Sequence, residues 1–533
     1  MTGEAPAAAG PWRRWSPGSG PAVASLFHRL FGLISLAAWW SLGSQVRVLI
    51  GGRGLLPAAD FMDAVRAADV SIFDVPTLFR AFHGDAVLVG GTIAGAALSI
   101  AALLGWRPRT CFAMSTALYL SYATVSRDFL SFQWDNLLLE CGLLAAFLPR
   151  DRAAPLAHFL FRVVLFKLYF ESGVAKWQSP IHDWQDGSAM TFYYETAPLP
   201  TWLAVAAHHL PAWWHHLESR AVLVLELIVP LFIFGPRPLR LAAAVTFSLF
   251  QIGNAATANY GIFCYLSAAL GVFLLDDADV QRAGARLARL IPARWKFLRA
   301  RTHAATPVPG AAAVWAGRAG AGLFLLMSLA EALVLFTESG PALPLVGPLF
   351  DLNQRFRLVN SYHLFASVTR ERIEPQFETR DAPLTEVEDD GAWTERDLRW
   401  KAGDPGRAPG FVAPHQPRVD FQLWFYGLSF RSYAEPSKGS APPATDSAGQ
   451  SPAPPTRRRE PPYVTALVEK LCNDAASVQP LFRDPLSPHP TAVRIVYWQY
   501  RFASAAERRT ANIWWRRARA AESRAIPCNE LRP

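Results

Sequence analysis

The chain has 533 residues, of which 51% are hydrophobic and only 18% charged, with a mean hydropathy of +0.13. A soluble chain carries roughly a quarter charged residues, so the deficit points to lipid and excludes disorder, collagen and coiled coil. Lys and Arg number 52 against 43 Asp and Glu, a net +9, which is no nucleic-acid footprint unless it gathers on one face and which fits loop charge at a membrane instead.

Residues 1–25 form an N-terminal tail carrying Arg13 and Arg14. Apolar runs that reach toward the ~20 residues a bilayer requires follow at 26–50, 85–106, 110–125, 129–148, 155–174, 220–235, 239–257, 260–275 and 319–336. The first is too long for a signal peptide and lacks a small-residue cleavage site. Only Ser126, Arg127 and Asp128 separate the third from the fourth. The expected fold is an α-helical polytopic membrane bundle of about nine spans over 26–340, followed by a mostly β exoplasmic C-terminal domain over 341–533.

Loop charge orients the bundle. Arg13 and Arg14, Arg107 and Arg109, Arg150 and Arg152, Arg237 and Arg240, and the run Arg282, Arg286, Arg289, Arg294, Lys296, Arg299 and Arg301 all fall on one side if nine spans alternate. That side is predicted cytoplasmic by the positive-inside rule. The opposite loops are acidic or mixed, with Asp60, Asp63, Asp69 and Asp74, then Asp183, Asp186, Glu195 and Glu218.

Ionisable groups at membrane depth are costly and are functional candidates by default. The fourth span carries Asp135, Asn136 and Glu140; the fifth carries Arg162, Lys167 and Glu171, with Lys176 at its end. Lys167 and Glu171 are four apart, so they share a helix face and can pair with each other, while Asp135 and Glu140 can face the fifth helix. The cluster reads either as a polar cavity or as a neutralised lock between the two helices; Glu226, Asn254 and Asn259 suit either arrangement. The loop 178–213, with Trp184, Tyr193, Tyr194, Trp202 and Trp213, suits the headgroup layer or a client surface. His208, His209, His215 and His216 lack Cys or acidic ligands at a zinc spacing, so no metal is assigned. The sequence has no phosphate loop, no G-x-S-x-G and no H-E-x-x-H.

In the tail, Val419, Phe421, Leu423 and Phe425 alternate with Asp420, Gln422 and Trp424, and Val493, Ile495 and Tyr497 alternate with Arg494, Val496 and Trp498. Both are predicted as half-buried strands. Asp389, Asp390 and Gly391 suit a hairpin turn. A Pro-, Ser- and Ala-rich stretch over 434–462 is expected to be a disordered insertion, and 463–472 a short helix. Cys111, Cys141 and Cys264 lie within spans as small hydrophobes; Cys472 and Cys528 lie on the side where a disulfide persists, and are candidates for one.

Several strings together resemble the lipase maturation factor family: Phe132-Gln-Trp-Asp-Asn-Leu-Leu-Leu-Glu140, Phe166-Lys-Leu-Tyr-Phe-Glu-Ser-Gly173, Tyr194-Glu-Thr-Ala-Pro-Leu-Pro-Thr201, Asn259-Tyr-Gly-Ile-Phe263, Leu358-Val-Asn-Ser-Tyr362 and Ala413-Pro-His-Gln-Pro-Arg-Val-Asp420. The resemblance runs from about Val125 to Trp515. It implies a multi-pass protein of the endoplasmic reticulum membrane, with a lumenal tail, that helps secreted lipases reach an active, assembled state. It carries over no catalytic residue and no cofactor. The sequence departs from the family pattern at Tyr193, Ala197, Ala258, His363 and Glu171, and its Arg and Ala bias hints at a bacterial host, which would put the protein in the inner membrane.

The leading expectation is therefore a non-enzymatic maturation factor whose partners are secreted client proteins and membrane lipid, with no nucleic acid. The candidate client-binding residues are His415, Gln416, Arg418, Asp420, Tyr194 and Glu195. Pro414 and Pro417 are expected to hold the motif extended so that His415 and Arg418 donate hydrogen bonds; the plainer alternative is a strand cap burying Asp420 against Arg418. The rival is a polytopic membrane enzyme working through Asp135, Glu140, Lys167 and Glu171, with Lys167 as base, by analogy to membrane folds of the vitamin K-dependent carboxylase type.

Overall fold

Pro21 opens the first helix, α1 (Pro21–Gly43), where its missing N–H costs nothing. The next two amides, of Ala22 and Val23, are capped from far along the chain by the Asp277 carboxylate, at 3.0 Å each. In this computed structural model the described residues are 20–290, 310–337, 347–384, 392–434 and 460–531. The bundle continues with α2 (Asp85–Leu103), α3 (Pro108–Val125), α4 (Gln133–Phe147), α5 (Pro155–Trp177), α6 (Ala212–Leu227), α7 (Arg237–Thr257), α8 (Phe263–Leu270) and α9 (Ala311–Thr337).

Among the described residues, three helices are long and apolar enough to cross a membrane: Pro21–Gly43, Asp85–Leu103 and Ala311–Phe336. Three other expected spans are interrupted. The run at 129–148 divides into a 3-10 turn, Arg127–Leu130, and α4; that at 220–235 passes from α6 into the 3-10 segment Val229–Phe234, where Pro230 cannot donate to the helical ladder. The run at 260–275 ends in the 3-10 turn Gly271–Leu274. Small residues let α1 and α2 approach closely, Gly32 against the Leu103 backbone and Gly95 against the Trp39 ring.

The Arg-bearing loops gather at one end of the bundle. There Arg237 pairs with Asp279 (2.5 Å), Arg240 with Asp276 (3.1 Å), Arg150 donates to Ser25 and Arg109 to the Ala146 carbonyl. Arg162 belongs to this end too: it donates to the Phe273 carbonyl (2.8 Å) and is no part of the cluster around Lys167. The C-terminal part packs against the opposite end. Arg13, Arg14, Arg294, Lys296, Arg299 and Arg301 lie outside the described residues.

The C-terminal part is built on an antiparallel sheet ordered β2-β1-β3-β4, with β1 (Arg372–Arg380), β2 (Trp393–Arg396), β3 (Ala492–Phe502) and β4 (Trp515–Glu522); β5 (Ile526–Pro527) also pairs β3. In register, Phe377 faces Ile495 and Arg372 faces Tyr500. Pro375 is tolerated in β1 because β2 covers only Phe377 to Arg380, leaving its other flank free of a ladder. The strand expected at 493–498 is β3, although Val493 to Val496 are buried whichever way they point.

The strand expected at 419–425 is a helix, α10 (Arg418–Ala434). Val419 to Trp424 are all buried, because this part of α10 lies between the bundle and β1, so its burial does not follow a helical period. Gly427 allows the close approach, its Cα passing the Ile373 carbonyl where a side chain would collide. Helix α11 (Pro462–Asn473) stands where a short helix was expected. The turn at Asp389 to Gly391 lies outside the described residues, between strands that do pair antiparallel. So does 435–459, the greater part of the expected insertion. Cys472, on α11, and Cys528 have their sulfurs 2.01 Å apart.

Candidate functional site

The Pro-His-Gln-Pro-Arg motif is where the two parts of the chain meet. Ser41 Oγ accepts from the Gln416 amide (2.8 Å), and the Gln45 side chain bridges the motif by donating to the Gln416 carbonyl (2.7 Å) and accepting from the Arg418 amide (3.0 Å). Asn259 holds the preceding segment with both ends of its amide: Nδ2 donates to Gly410 O (2.8 Å), and Oδ1 accepts from the amides of Val412 (2.7 Å) and Ala413 (3.0 Å). Gly261, two residues on, has φ +53°, and a Cβ there would strike the Gln416 side chain. Two strings far apart in sequence are thus neighbours in space.

Arg418 enters the bundle. Its guanidinium meets Asp135 two-pronged, at 2.5 and 2.8 Å, and also donates to the Phe129 carbonyl (3.1 Å); Tyr119 OH donates to the same carboxylate (2.6 Å). Arg418, Asp135 and Tyr119 are each no more than 2% exposed. Asp420 does not pair with Arg418. It accepts from the backbone amides of Trp400 (3.0 Å) and Lys401 (3.1 Å), and burial pushes its carboxyl up to about 6 against those two bonds. His415 sits between the rings of Trp40 and Trp400, with Nδ1 3.1 Å from Ser41 Oγ. Burial first, then Arg418, lowers its imidazole to about 4.

Gln416, Arg418 and Asp420, expected as client-binding candidates, are each 2% exposed; Arg418 and Asp420 are bonded through their side chains to other parts of the protein, and Gln416 through its backbone. Tyr194 and Glu195 are buried too. Tyr194 donates to Glu218 (3.0 Å), and Glu195 accepts from the Phe502 amide of β3 (2.7 Å), its carboxyl raised by burial.

Sequence reasoning missed Arg372, which clasps the same loop by donating to the carbonyls of Glu195 (3.0 Å) and Pro198 (2.8 Å) while pairing with Glu374 (2.7 Å). Lys401 pairs with the other Glu374 oxygen. Arg372 lies at the start of the buried strand β1 and Lys401 in the bend after β2. Trp424 of α10 adds a hydrogen bond to the Thr196 carbonyl (2.9 Å).

The membrane-depth cluster is also stitched to the tail. Lys167 pairs with Glu140 (2.9 Å) rather than with Glu171, which its spacing also allowed. Tyr362 bridges the two carboxylates, its hydroxyl donating to Glu140 (2.5 Å) and its amide to Glu171 (2.8 Å), while Glu171 Oε1 has no partner among the described residues. Asn136 lies beside it, contacted by Arg357 (3.4 Å) and, through its carbonyl, by Asn360 (3.4 Å). Lys176 pairs with Glu226 (2.7 Å) and donates to the Leu364 carbonyl (2.8 Å); Asp183 accepts from the Val368 amide (2.7 Å). Lys167 is 4% exposed and occupied by a carboxylate, the arrangement of a lock rather than of an open catalytic base. Among the described residues, no group of three His, Cys, Asp or Glu is placed to hold a metal.

A cavity of about 620 Å3 opens beside this seam, walled by α4 to α8, the segment from His363 to Thr369, and α10. Its lining is mostly aromatic and aliphatic and includes Lys176 and Glu226, but not Lys167.

A helical membrane domain whose one end is locked by buried ion pairs to a β-sheet C-terminal domain defines the class of protein. Residues 22–282 match the lipase maturation factor transmembrane domain, and residues 358–436 match the lipase maturation factor C-terminal domain. The chain is 30% identical to lipase maturation factor 2 of Gallus gallus, over 74% of this chain and 69% of that protein. It is 27% identical to lipase maturation factor 1 of Bos taurus (89% and 83% covered) and 28% to lipase maturation factor 2 of Homo sapiens (92% and 80%). The chain belongs to the lipase maturation factor family. No solved structure matches it.

Proposed function

We propose that this protein is a multi-pass, membrane-bound maturation factor that helps secreted lipases fold or assemble. The observation that carries the reading is its membership of the family across both parts of the chain, from residue 22 in the bundle to residue 436 in the tail. On this reading about nine spans occupy 26–340, and the domain over 341–533 faces the exoplasm. The basic end of the bundle faces the cytoplasm, because Arg-rich loops stay on that side. The membrane is the endoplasmic reticulum, or the inner membrane in a bacterial host. The tail holds the client, and the seam fixes the tail's angle to the bilayer; His415, Gln416, Arg418, Asp420, Tyr194 and Glu195 act as positioning residues.

The test is co-expression with a secreted lipase in cells that lack their own maturation factor. The expected result is lipase activity in the medium that depends on the full chain. Equal activity with a catalytically irrelevant membrane protein in its place overturns the proposal. A reporter active only in the cytoplasm, fused after Pro533, tests the orientation and is expected to be silent.

A further inference from the structure

The outward stripe of α1 has a definite end. Leu33 (55% exposed) and Trp40 (58%) lie two turns apart on one face, while Phe31, Ile34, Ala38 and Trp39 on the other faces are buried. Pro21 stands at the basic end of the bundle, beside Asp277, and at the helical rise Trp40 is about 28 Å farther along the axis. Helix α7 gives the same measure. It leaves the basic end at Arg237, exposes Val245, Leu249 and Ile252, and reaches Thr257 after about 30 Å. The Thr257 carbonyl accepts from the Thr201 amide (3.0 Å), which puts Trp202, the next residue, at that level. Two helices thus place Trp40 and Trp202 at the far edge of a hydrocarbon layer roughly 30 Å thick, where an indole keeps its ring in lipid and its N–H wet.

The C-terminal domain brings its own rings to this level. Phe411 lies against Trp202 with ring centres 6.2 Å apart, and Trp40 and Trp400 flank His415 at 5.7 and 6.2 Å. Phe411 and Trp400 nevertheless remain 51% and 41% exposed. The loop that carries Phe411, Ala408-Pro-Gly-Phe-Val-Ala-Pro414, has no charged side chain, and Ala408, Gly410, Phe411 and Pro414 are exposed. Asn259 pins the backbone of this loop to the bundle, which fixes its height. An apolar surface of this kind calls for a partner. Its level selects lipid, because the patch continues outward stripes that the bilayer covers.

We propose that the loop from Ala408 to Pro414, together with Trp400, seats the C-terminal domain in the headgroup layer beside Trp40 and Trp202, so that this domain is itself a lipid-binding surface. Because the loop is uncharged, a zwitterionic bilayer suffices. The inference rests on the bundle's place in a membrane, which the match to a transmembrane domain carries, and stands or falls apart from the lipase reading.

The experiment places the environment-sensitive fluorophore NBD on Ala408→Cys in the full-length chain, reconstituted in phosphatidylcholine nanodiscs. His489→Cys, exposed in the loop before β3, carries the same dye as the water-facing reference. The wild-type chain, whose cysteines are buried or bridged, reports background labelling. The expected result at position 408 is blue-shifted emission, lost to phosphatidylcholine spin-labelled near the headgroup and spared by aqueous iodide, with the reverse at position 489. Adding Phe411→Asp is expected to open position 408 to iodide and to abolish its quenching by lipid. Melting temperatures establish that the variants are folded; if Phe411→Asp is not, Trp400→Ser decides. Equal quenching at the two positions overturns the proposal, as does iodide access at position 408 in the chain that keeps Phe411, which would leave the loop in water as a surface for a protein. Lipid quenching that requires anionic lipid also overturns it, since an uncharged loop has no part in such binding.

Discussion

Arg418 and Asp135 lie 283 positions apart, and a two-pronged hydrogen bond joins them where the C-terminal domain meets the membrane bundle. With Tyr119 and the Phe129 carbonyl they form one buried hydrogen-bonded network, in which Arg418 Nε is left without a partner among the described residues. An ion pair of this kind adds little over an apolar replacement of both partners, but loss of one partner strands a buried charge.

Asp135→Leu or Arg418→Met alone is therefore expected to lower stability by about 3–5 kcal/mol, and the double variant to recover most of that loss. Thermal unfolding in detergent measures the cycle. Additive losses in the double variant would show that the two residues do not act as a pair. In cells, protein abundance and lipase activation are expected to fall together in the single variants, because the motif holds the tail in place; activation lost at normal abundance would restore the client-contact reading.

Asn259→Ala is expected to cost about 2 kcal/mol, since the amides of Val412 and Ala413 lose their acceptor together. Limited proteolysis checks it: cleavage should move to the segment between Gly410 and Gln416, and an unchanged digestion pattern would count against Asn259 as its anchor.

His415 and Asp420 set opposing pH responses. The His415 imidazole is lowered from 6.5 to about 4 by burial and by Arg418, so the unfolded chain takes up a proton that the native state refuses, and stability is lost as pH falls through that window. Asp420 is raised from 3.8 to about 6 by burial, so the native state takes up the proton first, and stability is gained over nearly the same range. The two largely cancel in the native sequence. His415→Gln is expected to become more stable from pH 7 to pH 5, and Asp420→Asn less stable, each by about 1–2 kcal/mol after allowance for the partial exposure of His415. Unfolding midpoints across that range decide it; parallel curves for both variants would refute the opposition.

The bridge between Cys472 and Cys528 closes a loop of 56 residues, for which chain entropy gives roughly 4 kcal/mol of stabilisation. Cys472→Ser is expected to lower the melting temperature of the C-terminal domain and to abolish the mobility shift seen on reduction. A wild-type protein with five titratable thiols under denaturing, non-reducing conditions would place the domain on the reducing side of the membrane.

The legible part of this fold was its periodicity and its charge. Continuous apolar runs located the bundle helices to within a turn or two; the strand at 493–498 and the helix at 463–472 were legible from alternation and from flanking Pro; the basic loops told which ends belong together. The strings around Asp135, Asn259 and His415 were also recognisable as a set. At 419–425 the same method failed, because Val419 to Trp424 are buried on all sides between β1 and the bundle, and that short stretch alternates by coincidence.

By itself, then, the sequence determined which segments prefer lipid, which end of the bundle is basic and which family the chain resembles, since each of these depends on residues close together in the chain. Tertiary structure alone decided which charge meets which. Lys167 turns to Glu140, 27 positions away, on which the Tyr362 hydroxyl and the Asn360 amide also converge, rather than to Glu171 one helical turn along. Arg418 reaches Asp135 rather than the nearby Asp420, which two backbone amides already hold. A buried charge needs hydrogen bonds to offset its lost hydration, and those bonds come from parts of the chain that only folding brings together.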